Sequence, residues 1–237
     1  MATEISAGDV AEPPRLCGLC PRLVEFRTRN QVKAPDWFNG AVPSFGEEPA
    51  RLLIVGLAPG LNGANRTGRP FTGDFAGELL YGTLLEFGFA QGRYAADPGD
   101  GLRLVDCMIT NAVRCVPPEN KPTPAEITTC CGFLRARIAE LPNLVAVLAL
   151  GRIAHDSTLA AFGQRKSRFP FAHGARHALP SGLVLFDSFH CSRYNTNTRR
   201  LTSDMFRAVF AAVRELLPAT PALAVAQRAG EARRARR

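Results

Sequence analysis

The strongest constraint on the fold is a series of short apolar runs separated by stretches whose apolar residues have helical spacing. The runs cover residues 51–55, 104–113, 144–150 and 182–189. The helical patterns cover residues 76–89, 125–140, from 151 onward, and 198–217. Each apolar run has the length and composition of a buried strand, and strands that alternate with helices favour parallel pairing. We therefore predict a three-layer α/β/α fold around a central four-stranded parallel sheet.

The chain is long and apolar enough for one full core. It has 237 residues, of which 46% are hydrophobic, and this predicts a single α/β domain at residues 15–217. Residues 1–14 are polar and contain prolines, so we expect them to be disordered. Residues 218–237 hold five arginines and one acidic residue, which predicts a basic, disordered tail. The net charge of +8 is compatible with a polyanionic partner.

The sequence also indicates where the protein works. No apolar run reaches the length of a membrane span, and residues 1–16 lack the basic-then-apolar order of a secretion signal. We therefore expect a cytoplasmic monomer that makes no membrane contact. Because the cytoplasm keeps thiols reduced, seven cysteines do not predict a disulfide framework. Metal ligation or redox chemistry is the better interpretation of any cysteines that form a pattern.

A segment rich in glycine and proline follows the first apolar run. It begins Gly56-Leu-Ala58-Pro59-Gly60 and continues through a polar stretch at residues 65–74. Such a segment cannot extend a strand, so the chain leaves the sheet here. In an open α/β sheet, ligands bind beyond the carboxyl ends of the strands. The segment is therefore a candidate binding loop, and an ordinary surface connection is the alternative.

The cysteines form a second pattern. Cys17 and Cys20 make a C-x2-C pair, and Cys115 and Cys130 follow the second predicted strand. Four thiolates on irregular or helix-start backbone suit either zinc or a [4Fe–4S] cluster, and the C-x2-C pair by itself also suits redox chemistry. The alternative for any single cysteine is a small buried apolar residue, which is our interpretation of Cys107 inside a strand.

Four separated motifs occur in a specific order along residues 17–215. They read Gly56-Leu-Ala-Pro-Gly60, Asn65-Arg-Thr-Gly-Arg-Pro-Phe-Thr-Gly-Asp74, Arg114-Cys-Val-Pro-Pro-Glu-Asn-Lys-Pro-Thr-Pro124 and His190-x-Ser192-x-x-Asn195. Together they resemble the iron–sulfur uracil-DNA glycosylases, and family 5 (type B) most of all. The resemblance implies a DNA-repair enzyme that hydrolyses the N-glycosidic bond of uracil in single- or double-stranded DNA and leaves an abasic site. Other deaminated bases are further candidate substrates.

The resemblance also implies that the cysteines hold a [4Fe–4S] cluster rather than zinc. The implied ligands are Cys17, Cys20, Cys115 and Cys130. Cys131 adjoins Cys130, and only one of the two is expected to reach a metal. We assign Cys130 because Cys130-x-x-Phe-Leu resembles the context of the family's fourth ligand.

An extruded uracil requires an aromatic ring that stacks on it and a polar group that reads its edge. Phe71 resembles the family's stacking residue, and core packing is the alternative. Asn111 lies at the carboxyl end of the second predicted strand, and its amide offers the donor and the acceptor that uracil needs. Asn120 is a second amide candidate, with a turn role as the alternative. The first motif is expected to line the same pocket through Gly56, Ala58, Pro59 and Gly60.

Cleavage of the glycosidic bond places positive charge on the sugar and negative charge on the departing uracil. The resemblance assigns His190 to a uracil carbonyl, and a backbone hydrogen bond is the alternative role. Family 5 lacks an acid or amide directly in the first motif, and Leu57-Ala58 shows that absence. The carboxylate must then come from elsewhere. Asp74 is the candidate for orienting water, and helix N-capping is its alternative.

Several residues are candidate contacts to DNA. They are Arg66 and Arg69 in the first loop and Ser192, Arg193, Tyr194 and Asn195 in the last motif. Further candidates for phosphate contact are Arg165, Lys166, Arg168, Arg199 and Arg200, for which a solvated surface charge is the alternative. The last motif lacks both prolines that the family usually has there, so its loop is less pre-set in shape. Arg193 and Tyr194 are then available to wedge into the space left by a flipped base.

Two other functions are compatible with the sequence. A non-catalytic iron–sulfur protein that captures flipped or abasic nucleotides would result if the altered last motif had lost turnover. A zinc-stabilised nucleotide-binding domain is the third interpretation. The colour of the purified protein separates an iron–sulfur protein from a zinc protein, and an assay for abasic sites separates an enzyme from a binding protein.

Overall fold

The computed structural model describes residues 10–218 and places five strands in one main sheet. The strands are β1 (Leu52–Gly56), β4 (Cys107–Asn111), β5 (Ala146–Leu150), β6 (Arg176–Ala178) and β7 (Val184–Ser188). Their order is β4-β1-β5-β7-β6; the first four are parallel, and β6 pairs antiparallel with β7. Two short strands, β2 (Ala90–Gln91) and β3 (Arg103–Leu104), pair separately. The four predicted parallel strands are confirmed.

The fifth strand of the main sheet, β6, was not predicted. It lies between the third and fourth apolar runs, where the sequence analysis predicts no strand. Its three residues are polar or small and none is fully buried, because β6 forms the edge of the sheet. A strand of this kind has no apolar run, so hydrophobic patterning does not detect it.

Helices cover both faces of the sheet. They are α1 (Pro21–Lys33), α2 (Ala64–Thr67), α3 (Phe75–Glu86), α4 (Pro124–Ala139), α5 (Arg152–Ala161), α6 (Arg193–Asn197) and α7 (Ser203–Leu216). Alternate residues of a strand point to opposite faces, so Leu52 and Ile54 pack with α3 and α7, whereas Leu53 and Val55 pack with α4 and α5. This arrangement makes the predicted three layers.

Two predicted elements have different bounds in the structure. The run at 104–113 splits into β3 and β4 at Asp106, whose φ of 58° breaks the extended backbone. The helix predicted at 198–217 begins later, as α7 at Ser203, because Thr202 Oγ1 accepts a hydrogen bond from Met205 N and caps it there. The short helix α6, which Ser192 Oγ caps by accepting a hydrogen bond from Asn195 N, was not predicted.

Residues 10–14, which were predicted to be disordered, make specific contacts with the rest of the protein. Ala11 is buried, and the Glu12 carboxylate lies 3.1 Å from the Arg114 guanidinium and 2.7 Å from that of Arg137. The predicted disorder of residues 1–14 is therefore wrong for residues 10–14. Residues 1–9 and the basic tail from 219 onward lie outside the described residues. None of the helices within residues 10–218 is long and apolar enough to span a membrane.

Candidate active site

The carboxyl ends of the parallel strands open into a cavity of about 500 Å³. β1 ends at Gly56 and β4 ends at Asn111, and these two residues are register partners in the sheet. His190 follows β7 by two residues. Ten predicted site residues line this one cavity: Ala58, Pro59, Gly60, Phe71, Asp74, Asn111, Asn120, His190, Ser192 and Arg193. The separated motifs therefore converge at the edge where ligands of open α/β sheets bind.

Asn111 lines this cavity and carries an unpaired polar atom. The residue is only 3% exposed, and its Oδ1 accepts no hydrogen bond from any described residue. Buried polar atoms in proteins are nearly always paired, so an orphaned acceptor at a cavity wall indicates a place for a donor from a ligand. Position 56 has to be glycine for this arrangement, since a Cβ there would lie 2.4 Å from Asn111 Oδ1.

Phe71 forms the wall next to Asn111. Its ring stacks on the His190 ring with centroids 5.8 Å apart and an interplanar angle of 26°. Its φ of 53° is in the left-handed region, which is costly for a bulky residue and is found mainly where function requires it. Tyrosines hold this backbone in place: Tyr81 Oη donates to Pro70 O at 2.6 Å and Tyr94 Oη donates to Phe71 O at 3.2 Å.

His190 is neutral at physiological pH. Burial lowers the pKa of its imidazole to about 4. The loop that carries it is tied to α6, because Asn195 Nδ2 donates a hydrogen bond to His190 O at 2.8 Å. Asn195, predicted as a DNA contact, therefore uses its amide to hold the histidine backbone.

Asp74 has both of the roles weighed from the sequence. Its Oδ1 accepts a hydrogen bond from Gly77 N at 3.2 Å and so caps α3, and the same side chain lines the cavity. A Cβ at Gly63 would lie 2.4 Å from Asp74 Oδ2, so the carboxylate packs closely against the first loop. Burial raises the pKa of Asp74, and hydrogen bonds from Gly77 N and Ala76 N oppose that shift in part.

Arg69, predicted as a DNA contact, is buried and paired within the protein. Its side chain is 6% exposed and forms a two-pronged pair with Asp100, with both N–O distances at 2.8 Å. Its guanidinium also lies over the rings of Phe45 and Tyr81, at 5.2 and 5.5 Å from the ring centroids. The arginine therefore anchors the loop from within. Arg66, predicted with it, is exposed.

Two exposed aromatic side chains belong to segments that line the cavity. Phe75 lines it and is 38% exposed, whereas Tyr194, predicted as a wedge, is 72% exposed and directly follows the lining residue Arg193. The Arg193 guanidinium lies 5.3 Å from the centre of the Phe75 ring. Phe75 was not identified from the sequence, although an aromatic residue directly after a capping aspartate is a usable signal, since the first turn of a helix projects from the sheet edge.

The four predicted metal ligands line one small cavity beside the sheet. They are Cys17, Cys20, Cys115 and Cys130. Cys130 Sγ accepts a hydrogen bond from Arg114 N at 3.3 Å, and the Arg27 guanidinium lies 3.9 Å from Cys115 Sγ. Donors of this kind stabilise thiolates, so the set fits a metal centre with four sulfur ligands. Burial raises the pKa of Cys115 to about 11 and that of Cys130 to about 12, so binding of a metal at these thiols would release their protons.

The other two cysteines considered above face different surroundings. Cys131 Sγ lies 3.8 Å from Ser157 O, next to α5, and lines a different cavity from Cys130. Of this adjacent pair, Cys130 is the one that faces the other three sulfur atoms. Cys107 is buried in β4 and its Sγ lies 3.3 Å from Phe89 O, as expected for a packing residue.

Comparison with known proteins gives the same assignment as the cavity and its motifs. A family profile described as the uracil DNA glycosylase superfamily matches residues 43–214. The chain belongs to the uracil-DNA glycosylase superfamily. A type-5 uracil-DNA glycosylase of Thermus thermophilus is 46% identical over 205 residues, which covers 84% of this chain and 93% of that protein.

More distant superfamily members are also similar over most of this chain. A type-5 uracil-DNA glycosylase of Mycobacterium bovis is 38% identical over 221 residues, covering 89% of this chain and 82% of that protein. A type-5 uracil-DNA glycosylase of Pyrobaculum aerophilum is 35% identical over 197 residues, covering 81% and 85% respectively. The family profile matches residues 43–214, and this range contains every residue that lines the cavity at the strand ends.

Proposed function

We propose that this protein is a DNA-repair glycosylase that hydrolyses the N-glycosidic bond of uracil in DNA and leaves an abasic site. The observation that carries the proposal is the unpaired Asn111 Oδ1 beside the Phe71 ring in a cavity of about 500 Å³. Uracil presents an N3–H donor next to an acceptor carbonyl, and one primary amide complements both. The type-5 uracil-DNA glycosylases that resemble this chain support the same assignment.

The base has to leave the duplex to reach Asn111. An enzyme acting on a base inside a stack extrudes the nucleotide and reads it in a pocket. Phe75 and Arg193 line the cavity, and the exposed Tyr194 directly follows Arg193 in the chain. We assign these three side chains to the gap that the extruded nucleotide leaves, with Arg193 also available to a phosphate.

Catalysis requires stabilisation of charge at both ends of the breaking bond. The neutral imidazole of His190 donates an N–H to a uracil carbonyl, where negative charge develops as the base departs. Because burial lowers its pKa to about 4, the ring acts as a hydrogen-bond donor and not as a cation. Asp74, which also lines the cavity, supplies the negative charge that favours the sugar cation and orients the attacking water.

We also propose that Cys17, Cys20, Cys115 and Cys130 hold a [4Fe–4S] cluster. When bound, the cluster supplies covalent cross-links between the segment before α1, the segment after β4 and α4. Cys115 precedes Asn120 by five residues, and Asn120 lines the substrate cavity. The cysteine ligands would thus restrain the proline-rich segment that carries the second amide. The buried donors Arg114 N and Arg27 support the sulfur atoms.

An assay with a defined oligonucleotide tests the proposed function. The purified protein is incubated with single- and double-stranded DNA that contains one uracil, and alkali then cuts any abasic site. We expect cleavage at the uracil and no cleavage of the matched thymine strand. Parallel substrates with xanthine or hypoxanthine measure the range of bases. Retained binding of the uracil strand without any abasic product would overturn the enzymatic assignment in favour of a capture protein.

A further inference from the structure

A cluster of buried polar side chains lies outside both the substrate cavity and the cysteine set. His155 comes from α5, His177 from β6 and Asp187 from β7. His155 Nδ1 lies 2.7 Å from Asp187 Oδ1, and His177 Nε2 lies 3.1 Å from Asp187 Oδ2. The three ligand atoms all lie within 4.8 Å of one another. The site proposed above uses none of these residues.

The charge of Asp187 requires a positive partner. The carboxylate is completely buried, and within residues 10–218 no lysine or arginine forms an ion pair with it. A buried carboxylate without a compensating charge is costly by several kcal/mol, of order 3–5 in proteins. Its only side-chain partners among the described residues are the two imidazoles.

The contact of the second His155 nitrogen also bears on the positive charge that Asp187 requires. His155 Nε2 lies 2.9 Å from the carbonyl oxygen of Phe169, so it carries a proton and donates it. In the neutral ring, Nδ1 then has a lone pair, and that lone pair faces Asp187 Oδ1. Two acceptors at 2.7 Å repel each other unless a proton or a metal ion is bound between them. A histidine whose other nitrogen donates to a backbone carbonyl has the arrangement typical of metal ligands.

We propose that His155 Nδ1, His177 Nε2 and the Asp187 carboxylate bind a divalent cation of the zinc class. Two imidazoles and one carboxylate are a donor set that zinc accepts, with water in the fourth position. Two neutral imidazoles, one carboxylate and a divalent ion sum to a single positive charge, so the buried carboxylate then has a cation as its direct partner. The side chain of His177 is 12% exposed and the other two are at most 1% exposed, so the ion enters past His177.

The proposed site joins α5 to the paired strands β6 and β7 at the edge of the sheet. β6 is only three residues long and forms the edge of the sheet, so a ligand on β6 fixes a weak strand. Asp187 precedes His190 by three residues on the same chain segment. A metal bound here would therefore hold the end of β7 from which the active-site loop departs. This role is independent of the proposed glycosylase chemistry.

Metal binding to matched variants tests the proposal. The full chain is equilibrated with Zn²⁺, and bound zinc and the thermal unfolding midpoint are measured for wild type, His177→Gln, His177→Ala and His173→Ala. His173 lies in the same segment but outside the cluster. We expect wild type and His173→Ala to bind one more zinc ion than either His177 variant. Zinc at about 100 times its Kd should raise the midpoint of the first two by roughly 5–10 °C.

Every variant retains the four cysteines, so any zinc that they take up is the same in all of them and the difference between variants isolates the histidine site. Co²⁺ gives a second readout. The wild-type spectrum minus the His177→Gln spectrum should contain visible d–d bands without a thiolate-to-cobalt charge-transfer band. Equal zinc content and equal thermal shifts in wild type and both His177 variants would overturn the proposal and leave a buried imidazolium–carboxylate pair.

Discussion

A methyl group on Gly56 would stand 2.4 Å from Asn111 Oδ1, although the two residues lie on different strands. The same methyl group would lie 2.6 Å from Phe71 Cζ. Real Cβ atoms do not approach neighbours this closely, so Gly56 permits the amide and the ring to close over the end of β1. The proposed uracil pocket therefore requires glycine at position 56.

Gly56→Ala should displace Asn111 and Phe71 while the fold persists. A shift of about 1 Å at a reacting group lowers activity by roughly 10²-fold, and overpacking costs about 1–3 kcal/mol of unfolding free energy. Uracil excision and urea unfolding measure the two effects. Gly82→Ala is the matched control, because a Cβ there has no neighbour within 4 Å and the residue lies inside α3. The control should be fully active and about 0.5–1 kcal/mol more stable.

Asn111→Leu should separate activity from stability. Leucine has nearly the same shape as asparagine but removes the unpaired Oδ1 from a buried position. We expect excision of uracil to fall by roughly 10²-fold because the base loses both hydrogen bonds. The free energy of unfolding should stay the same or rise by up to about 1–3 kcal/mol, because an orphaned acceptor is gone. Destabilisation of the variant by more than about 1 kcal/mol would contradict the unpaired state of Asn111.

The acid limb of kcat/KM should report Asp74 and not His190. Asp74 acts as the carboxylate, so activity is present above its pKa, which burial raises, and is lost as the pH falls through that value. His190 acts as the neutral ring and stays neutral down to about pH 4, well below the ordinary histidine value of about 6.5. Asp74→Asn should be slow, with a rate that does not change between about pH 5 and 8. An acid limb centred near pH 6.5 in that variant would show that His190 titrates normally.

Local patterning explains why two of the site residues lie at one edge of the sheet. Asn111 and His190 lie near the ends of apolar runs, and parallel strands bring their carboxyl ends together, but the role of His190 came from the family resemblance. Phe71 and Asp74 depended on the family motif, since nothing local distinguishes a stacking ring from a core residue. In Asp74 the capping and cavity roles coincide, so neither alternative weighed from the sequence excluded the other.

The features that patterning missed depend on contacts between distant residues. The sequence around Arg69 predicts a surface cation, because the buried partner of this arginine, Asp100, lies 31 residues further along the chain. Glu12 orders the segment around residues 10–14 through Arg114 and Arg137, which lie on or next to other elements more than 100 residues away. His155 and Asp187 each look unremarkable within their own helix or strand, and the fold alone brings them together.

Arg69→Ala should lower the stability of the protein, whereas Arg66→Ala should weaken its binding to DNA. Loss of Arg69 leaves the Asp100 carboxylate, 2% exposed, without its partner, and breaking such a pair costs about 3–5 kcal/mol. The Arg69 hydrogen bond holds the pKa of Asp100 far below its usual range, so this carboxylate is charged at neutral pH. Arg66→Ala should change unfolding by less than about 0.5 kcal/mol but should reduce the salt dependence of DNA binding by about one ion. A stable Arg69→Ala protein with a flatter salt slope would reverse the two assignments.

Cys130→Ser and Cys131→Ser should differ although the two residues are adjacent. Cys130 faces Cys115 and accepts a hydrogen bond from Arg114 N at 3.3 Å, whereas Cys131 Sγ lies 3.8 Å from Ser157 O beside α5. Serine is a poor ligand for iron, so Cys130→Ser should lose most of the iron and the brown absorption of the purified protein. Cys131→Ser should keep both, because its hydroxyl replaces a thiol that faces no other sulfur atom. Iron and sulfide content with the visible spectrum measures the difference. Equal loss in the two variants would contradict the ligand assignment, and bound zinc without iron in the wild-type protein would replace the cluster with a zinc site.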